Sequence, residues 1–291
     1  MSEIPAERVT CSVCPHRCVI AEGRTGRCRA RGTVGGQNVP LGYGILTSIA
    51  LDPIEKKPLR RYFPGSRILS AGGFGCNLSC PFCQNWEISM SDGHEYVRDD
   101  AAESDNYVSP ETLADMAMQL KSRGNIGVAF TYNEPLICYE YILDTAKLLR
   151  EAGLKTVLVT NGCVNEEIAE AVLPWVDALN IDLKSFHAET YSKVLGGDLE
   201  AVKAFIEKAS QTSHVELTTL VVPGMNDTEE EMRDLAAWVA SLPDGEEISL
   251  HVTRFFPRYH MMDRGPTDPR TVLRLADIAK EYLRYVYPGN L

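Results

Sequence analysis

The sequence predicts an α/β fold. We expect a partial (β/α)6 TIM-like barrel over residues 67–291, preceded by a small Cys-rich, metal-binding lobe and lead-in over residues 1–66. Three observations carry this reading. From residue 67 onward, short β-rich runs alternate with amphipathic helical stretches, and repeated βα units imply a parallel sheet with right-handed crossovers. The first 66 residues lack that alternation and are rich in cysteine and glycine. At 291 residues and 44% hydrophobic, the chain is long enough for one large domain or two unequal ones.

The elements follow in order. Val39 to Ala50 has β character, and Asp52-Pro53-Ile54-Glu55-Lys56-Lys57-Pro58 leads into the barrel. Arg67 to Ala71 is the first strand and runs into Gly72-Gly73-Phe74-Gly75. Ser109-Pro110-Glu111 starts a helix with a cap, a proline at the first position and an early acid. Leu113, Met116 and Leu120 follow at helical spacing, and Gly124 ends the element. Ile126 to Thr131 is the second strand, and Pro135 to Ala152 is the next helix, stopped by Gly153. Thr156 to Thr160 is the third strand, Val164 to Leu173 is helical until Pro174, and Ala178 to Leu183 is the fourth strand. Helical pieces at Ala188 to Val194 and Leu199 to Ser210 precede the fifth strand, Val215 to Val222. Asp227 or Thr228 caps a helix to Leu242, and Ile248 to Phe255 is the sixth strand. Thr267 or Asp268 caps the last helix, which is expected to end near Tyr287 and Pro288. Six βα units fall two short of a closed barrel.

Composition excludes several classes. The 29 Lys and Arg against 40 Asp and Glu give a net charge of −11, which argues against a dedicated nucleic-acid binder. No run of roughly 18 apolar residues exists, so no membrane span is expected. The start, Met1 to Thr10, carries Glu3, Glu7 and Arg8 and no apolar stretch, unlike a signal peptide. A cytoplasmic chain is therefore expected, where nine cysteines serve metal ligation, catalysis or packing rather than disulfides.

The stretch Gly75-Cys76-Asn77-Leu78-Ser79-Cys80-Pro81-Phe82-Cys83-Gln84-Asn85 spaces its thiols C-x3-C-x2-C directly after the first strand. Three thiolates can hold three irons of a [4Fe–4S] cluster and leave the fourth iron open to a non-protein ligand. A structural zinc site would normally be closed by a fourth ligand, and none is adjacent. Here the sequence resembles the radical S-adenosylmethionine (SAM) superfamily, and within it the pyruvate formate-lyase activating enzyme branch. Asp52 to Pro58, Phe63-Pro64-Gly65-Ser66, Gly75 to Asn85 and the N-terminal cysteines look like the radical SAM member of the AmmeMemoRadiSam system. The resemblance runs nearly the full length, and nothing is carried over from Leu59 to Tyr62.

That resemblance implies that Cys76, Cys80 and Cys83 hold the catalytic cluster and that SAM binds its open iron. It implies one-electron cleavage of SAM to methionine and a 5′-deoxyadenosyl radical, with an electron donor such as flavodoxin or ferredoxin. It further implies Memo-type and AMMECR-type proteins as neighbours in a pathway. Thr131-Tyr132-Asn133-Glu134-Pro135 stands where the superfamily commonly has a Gly-Gly-Glu-Pro-like turn for the SAM amino group; Glu134 and Pro135 match, and Tyr132 and Asn133 replace the glycines. The bland alternative is a plain helix start. Asp182-Leu183-Lys184 matches a D-x-K that contacts the SAM ribose and carboxylate, against a mutual ion pair at a rim. Asn161, in Thr160-Asn161-Gly162, is a further candidate, and Phe82 and Asn85 inside the cluster loop are candidates for the adenine.

The sixth strand puts His251, Thr253 and Phe255 on one face. Arg254, Arg258 and His260 gather at or beyond its end, a cationic set suited to a carboxylate or phosphate. With His251 they are the expected contacts to a small anionic substrate. Cys11-x2-Cys14-Pro15-His16-x-Cys18 and Gly26-Arg27-Cys28 give four more thiolates, which can close a zinc site or hold a second Fe–S cluster, with His16 as an alternative ligand. Cys138 and Cys163 read as packing. The leading reading is a radical SAM enzyme acting on a small molecule. Its rivals are an activase that makes a glycyl radical on a partner enzyme, and a non-catalytic metal scaffold.

Overall fold

The computed structural model describes residues 8–94, 96 and 104–291. Glu3 and Glu7, on which the reading of the start rests, lie outside the described residues.

The N-terminal lobe is built of strands too short to bury a core by themselves. β1 (Arg8–Thr10) pairs antiparallel with β2 (Val19–Ala21), and β3 (Arg31–Val34) with β4 (Gln37–Pro40). β5 (Ser48–Pro53) then leaves the lobe and adds antiparallel to β6 (Arg67–Gly72), with Ser48 opposite Gly72 and Pro53 opposite Arg67. A short helix, α1 (Trp86–Ser89), follows the cluster loop.

From β6 the chain alternates. α2 (Pro110–Gln119), β7 (Asn125–Phe130), α3 (Tyr139–Glu151), β8 (Lys155–Thr160), α4 (Glu166–Val172) and β9 (Ala178–Asp182) come first. α5 (Ala188–Thr190), α6 (Leu199–Ser210), β10 (His214–Val221), α7 (Glu229–Ala240), β11 (Ser249–Arg254), α8 (Pro269–Ala279) and β12 (Val286–Gly289) complete the chain. Strand order is β12-β11-β10-β9-β8-β7-β6-β5, with β6 to β12 parallel. The partial (β/α)6 barrel is thus observed, bounded by an antiparallel strand on one edge and a short parallel strand on the other.

The local signals worked as their chemistry requires. Ser109, Thr228 and Asp268 accept hydrogen bonds from the first-turn N–H groups of α2, α7 and α8. Asp227, the alternative cap, instead accepts from the Gly224 N–H. The C-terminus needs correction. α8 stops at Ala279, and the segment read as its last turns is β12, with His251 opposite Tyr287 and Thr253 opposite Gly289. Pro288 read as a helix stop, but an edge strand leaves one side of its ladder unpaired and tolerates a missing N–H.

Period two divides each strand. Leu179, Ile181, Leu217, Leu250 and Val252 face the helices and are fully buried. Their neighbours Asn180, Asp182, Thr218, His251 and Thr253 face inward and are polar. The lead-in after β5 forms a strap across the N-terminal end of the barrel. Ile54 and Leu59 on this strap pack against Ile68, Ala129, Val157 and Ala178. The Asn180 Nδ2 donates to Pro58 O at 2.9 Å, and the Arg60 and Arg61 N–H groups donate to Glu216 at 3.1 and 2.8 Å.

Candidate active site

A cavity of about 610 Å³ occupies the barrel interior. Its upper wall carries Cys76, Cys80, Phe82, Cys83 and Asn85 from the loop after β6. Strand ends contribute Tyr132, Asn133, Glu134, Asn161, Asp182 and Lys184. His251 and Thr253 line it from β11, Tyr287 and Asn290 from β12 and its continuation, and Lys56, Lys57 and Arg60 from the strap.

The three cysteines are free thiols on one wall. Burial and the Glu134 charge push the Cys76 thiol well above the usual range, and burial pushes Cys80 up to about 11 against the pull of Lys184. Such sulfurs become thiolates when a cation binds. The Cys76 sulfur already accepts from the Leu78 N–H at 3.4 Å and the Asn161 side-chain amide at 3.7 Å, the kind of contact that tunes metal-bound thiolates. Among the described residues, no three Cys, His, Asp or Glu side chains are drawn together around a single ion's position. A [4Fe–4S] cluster asks for a different arrangement, three thiolates held apart on separate irons. The trio on its cavity wall fits that donor set, and the sequence order Cys76, Cys80, Cys83 would supply it.

The turn after β7 is more tightly tied than its sequence suggests. Glu134 is 1% exposed and accepts from the Leu136 N–H, the Thr160 hydroxyl and the Asn161 N–H at 3.0, 2.7 and 2.7 Å. Burial outweighs those bonds and raises its pKa to about 7. The helix-start reading is observed: Glu134 caps a 3-10 turn, Pro135–Cys138, that precedes α3. The Asn133 side chain bonds Gly73 N, Phe74 O and Gly75 O, so it braces the loop behind the cysteines. The Asn161 Nδ2 also reaches Asn77 Oδ1 at 2.9 Å, which spends that amide on the cluster loop rather than leaving it to a ligand. The Asn85 Nδ2 donates to Tyr132 O at 2.7 Å.

Asp182 and Lys184 share the inward face and pair at 2.7 Å. Burial works against the Lys184 ammonium, but Asp182 and the Cys80 sulfur outweigh it and hold its pKa above the lysine range. A fixed cation thus stands beside the cysteine wall.

Of the four expected substrate contacts, the cavity takes in one. His251 lines the cavity, 4% exposed, with Nε2 2.7 Å from Glu216 and its ring 5.3 Å from Tyr287. Arg254, Arg258 and His260 are not among the lining residues. Arg254 leaves on the opposite strand face, its Nε donating to Thr267 O at 2.7 Å. The Tyr259 ring next to His260 stacks on Trp86, and the His260 N–H donates to Pro81 O, so this loop buttresses the cluster loop from outside. Besides Lys184, the cations that line the cavity are Lys56, Lys57 and Arg60, and these were missed as site residues. The only local signal was the charge run Glu55-Lys56-Lys57, a pattern that usually marks a solvated face. Lys57 is 3% exposed and pairs with Asp52 at 2.9 Å; Asp52 also accepts from Ser70 and Tyr132.

The Radical SAM superfamily pattern matches residues 72–239, the span from the cluster loop to α7. This chain belongs to the radical SAM superfamily. It is therefore an enzyme of the radical SAM class, using SAM and a 4Fe–4S cluster, rather than a non-catalytic scaffold. Over 286 residues it is 37% identical to an uncharacterised protein of Methanocaldococcus jannaschii, a match that covers 98% of this chain and 82% of that one. It is 25% identical over 181 residues to the pyruvate formate-lyase-activating enzyme of Clostridium pasteurianum, covering 60% of this chain and 71% of the relative. Among solved structures, Streptococcus suis SuiB bound to SAM matches with a TM-score of 0.54 at 14% identity, over 74% of this chain and 47% of that one. At that identity the likeness is one of fold. No helix among the described residues is long and apolar enough to cross a membrane.

Proposed function

We propose that this radical SAM enzyme acts on a small anionic molecule bound below the cluster loop. The observation that supports it is one cavity reaching from the three cysteines to the cations of the strap. When bound at Cys76, Cys80 and Cys83, a [4Fe–4S] cluster supplies the electron that splits SAM into methionine and a 5′-deoxyadenosyl radical. The chain's own residues do the rest. Lys184, fixed by Asp182, offers its ammonium to the SAM carboxylate, and Asp182 is set for the ribose. Glu134 and Asn133 shape the turn that meets the amino group, and Phe82 offers an apolar face to the adenine. Lys56 and Arg60, with His251 held by Glu216, bind the substrate's anionic group at the far end and aim its reactive carbon upward. The surrounding walls keep water and stray hydrogen donors from the radical.

The division near residue 66 goes with this reading, metal in the lobe and chemistry in the barrel. A cytoplasmic setting suits the reduced thiols and a flavodoxin- or ferredoxin-type donor. Memo-type and AMMECR-type proteins are the proposed neighbours in the pathway.

The test is reductive SAM cleavage. The reduced wild-type enzyme should form 5′-deoxyadenosine, and Cys80→Ala should form none; normal yield from that variant would sink the assignment. Cell metabolites incubated with enzyme and SAM, then searched by mass spectrometry for deuterium transfer, should reveal an acidic small molecule. The activase reading is favoured by the activating enzymes among the relatives. It predicts instead a glycyl-radical EPR signal on a partner protein.

A further inference from the structure

We propose that Cys11, Cys14, Cys18 and Cys28 hold one zinc ion, and that this centre clamps the lobe onto the catalytic cysteine loop. The four residues line one small cavity, closed by Val13, Ile20 and Ile137. Its volume is about 10 Å³, near that of a single water-sized sphere. One tetrahedral ion would take all four thiolates at once. Four thiolates leave no open coordination position, the mark of a structural rather than catalytic zinc site. The C-x2-C spacing of Cys11 and Cys14 is typical of such sites. As they stand, no three of these side chains are drawn in around one ion. The Arg27 N–H already points at the Cys18 sulfur, 3.4 Å away. His16, the alternative ligand, is not among the residues lining this cavity, and its Nε2 is 2.9 Å from Asn77 O.

The need for such a centre follows from the lobe's construction. Its strands are three or four residues long and form two separate two-stranded ribbons, which are marginal without a staple. Yet this lobe grips the cluster loop. The Arg27 guanidinium donates to Ser79 Oγ at 2.9 Å, and Arg29 donates to Cys76 O and Ser89 O at 3.3 and 3.0 Å. His16, Arg27 and Arg29 each lie within two residues of a proposed ligand. Gly75 shows how close the surfaces come: a Cβ there would stand 2.4 Å from Cys28 O. Arg31 anchors the lobe's other side through a two-pronged pair with Glu140 at 2.8 and 2.9 Å. His16, Arg27 and Arg29 are thus positioning residues for the loop, and the zinc positions them.

The full chain, reconstituted anaerobically, should contain about one zinc and about four irons. About eight irons with no zinc would overturn the proposal in favour of a second cluster. A Cys11→Ser/Cys14→Ser variant should lose its zinc, and a Cys76→Ser/Cys80→Ser/Cys83→Ser variant should keep it; the reverse pattern overturns the assignment. Should the first variant not fold, a mercurial reagent added to the second should release zinc with about four thiols modified per ion, and zinc that stays bound would count against the site. Arg29→Ala should keep zinc but retain at least about two-fold less iron after gel filtration, as loss of a buttress behind a metal ligand predicts. Unchanged iron retention would remove the clamp. Zinc counts do not depend on SAM cleavage, so this outcome stands apart from the functional proposal.

Discussion

Tyr132 sits at φ +74° in the turn after β7, a left-handed conformation that a bulky residue rarely adopts. Superfamily members resembling this chain commonly have glycine there, which meets that φ without strain. The cost, about 1–2 kcal/mol, is offset by what the ring reaches. Its hydroxyl donates to Asp52 at 2.8 Å, Lys57 lies 4.5 Å from its centroid, and its carbonyl receives the Asn85 amide. Tyr132 therefore ties the rim of the site to the strap at the opposite end of the barrel. Tyr132→Phe keeps the ring and removes one hydrogen bond to a carboxylate, so it should cost about 1.5–3 kcal/mol in urea unfolding. Tyr132→Gly relieves the backbone but loses hydroxyl and ring together, and should be less stable than Tyr132→Phe. A glycine variant as stable as wild type would mean that the network does not hold the strained turn in place. The tyrosine was visible in the sequence as a departure from a glycine, but its partner Asp52 lies 80 positions away in β5, and no spacing rule predicts that contact.

Elements were legible where their signal was local. Parallel strands such as β8 and β10 read clearly because both are rich in β-branched residues and each is followed by a helical stretch. The C-x3-C-x2-C loop and the Asp182-Leu183-Lys184 strand end read clearly because their geometry is fixed within a few residues. β12 did not, because it is four residues long, contains Pro288 and is only partly buried. Its role comes from the neighbour it pairs with, β11, and through that from His251. As an edge strand it adds one ladder and one wall: Tyr287, Gly289 and Asn290 line the cavity. Truncation before Val286 should leave a folded barrel with a lower Tm and an opened cavity flank. Substrate-free SAM cleavage by the truncated enzyme should then run faster than in wild type, read as 5′-deoxyadenosine formed per hour. An unchanged rate would show that β12 supports the sheet without gating the site.

Across the whole molecule, Glu216 is the point where strap and barrel meet. It is 0% exposed on an inward strand face and accepts from His214, His251 and the Arg60 and Arg61 N–H groups at 3.0, 2.7, 3.1 and 2.8 Å. More than 150 positions in sequence separate it from the strap, so no local pattern announces that contact. Burial alone would raise its pKa, but the bonds from His214, His251 and the two N–H groups bring it down from 4.5 to about 2. The sign follows directly. A carboxyl whose folded pKa is depressed adds stability that is complete above its unfolded pKa and is lost as pH falls toward the folded one. The window here runs from about pH 4.5 down to about 2, and the full contribution is roughly 3 kcal/mol. Wild-type stability measured by urea unfolding should therefore drop steeply across that window. Glu216→Gln cannot titrate, so its curve should start lower at neutral pH and lie flatter through the same range, with its deficit narrowing as the acid limb is reached. Parallel curves would show that acid unfolding begins elsewhere and that the strap is held by its apolar contacts through Ile54 and Leu59.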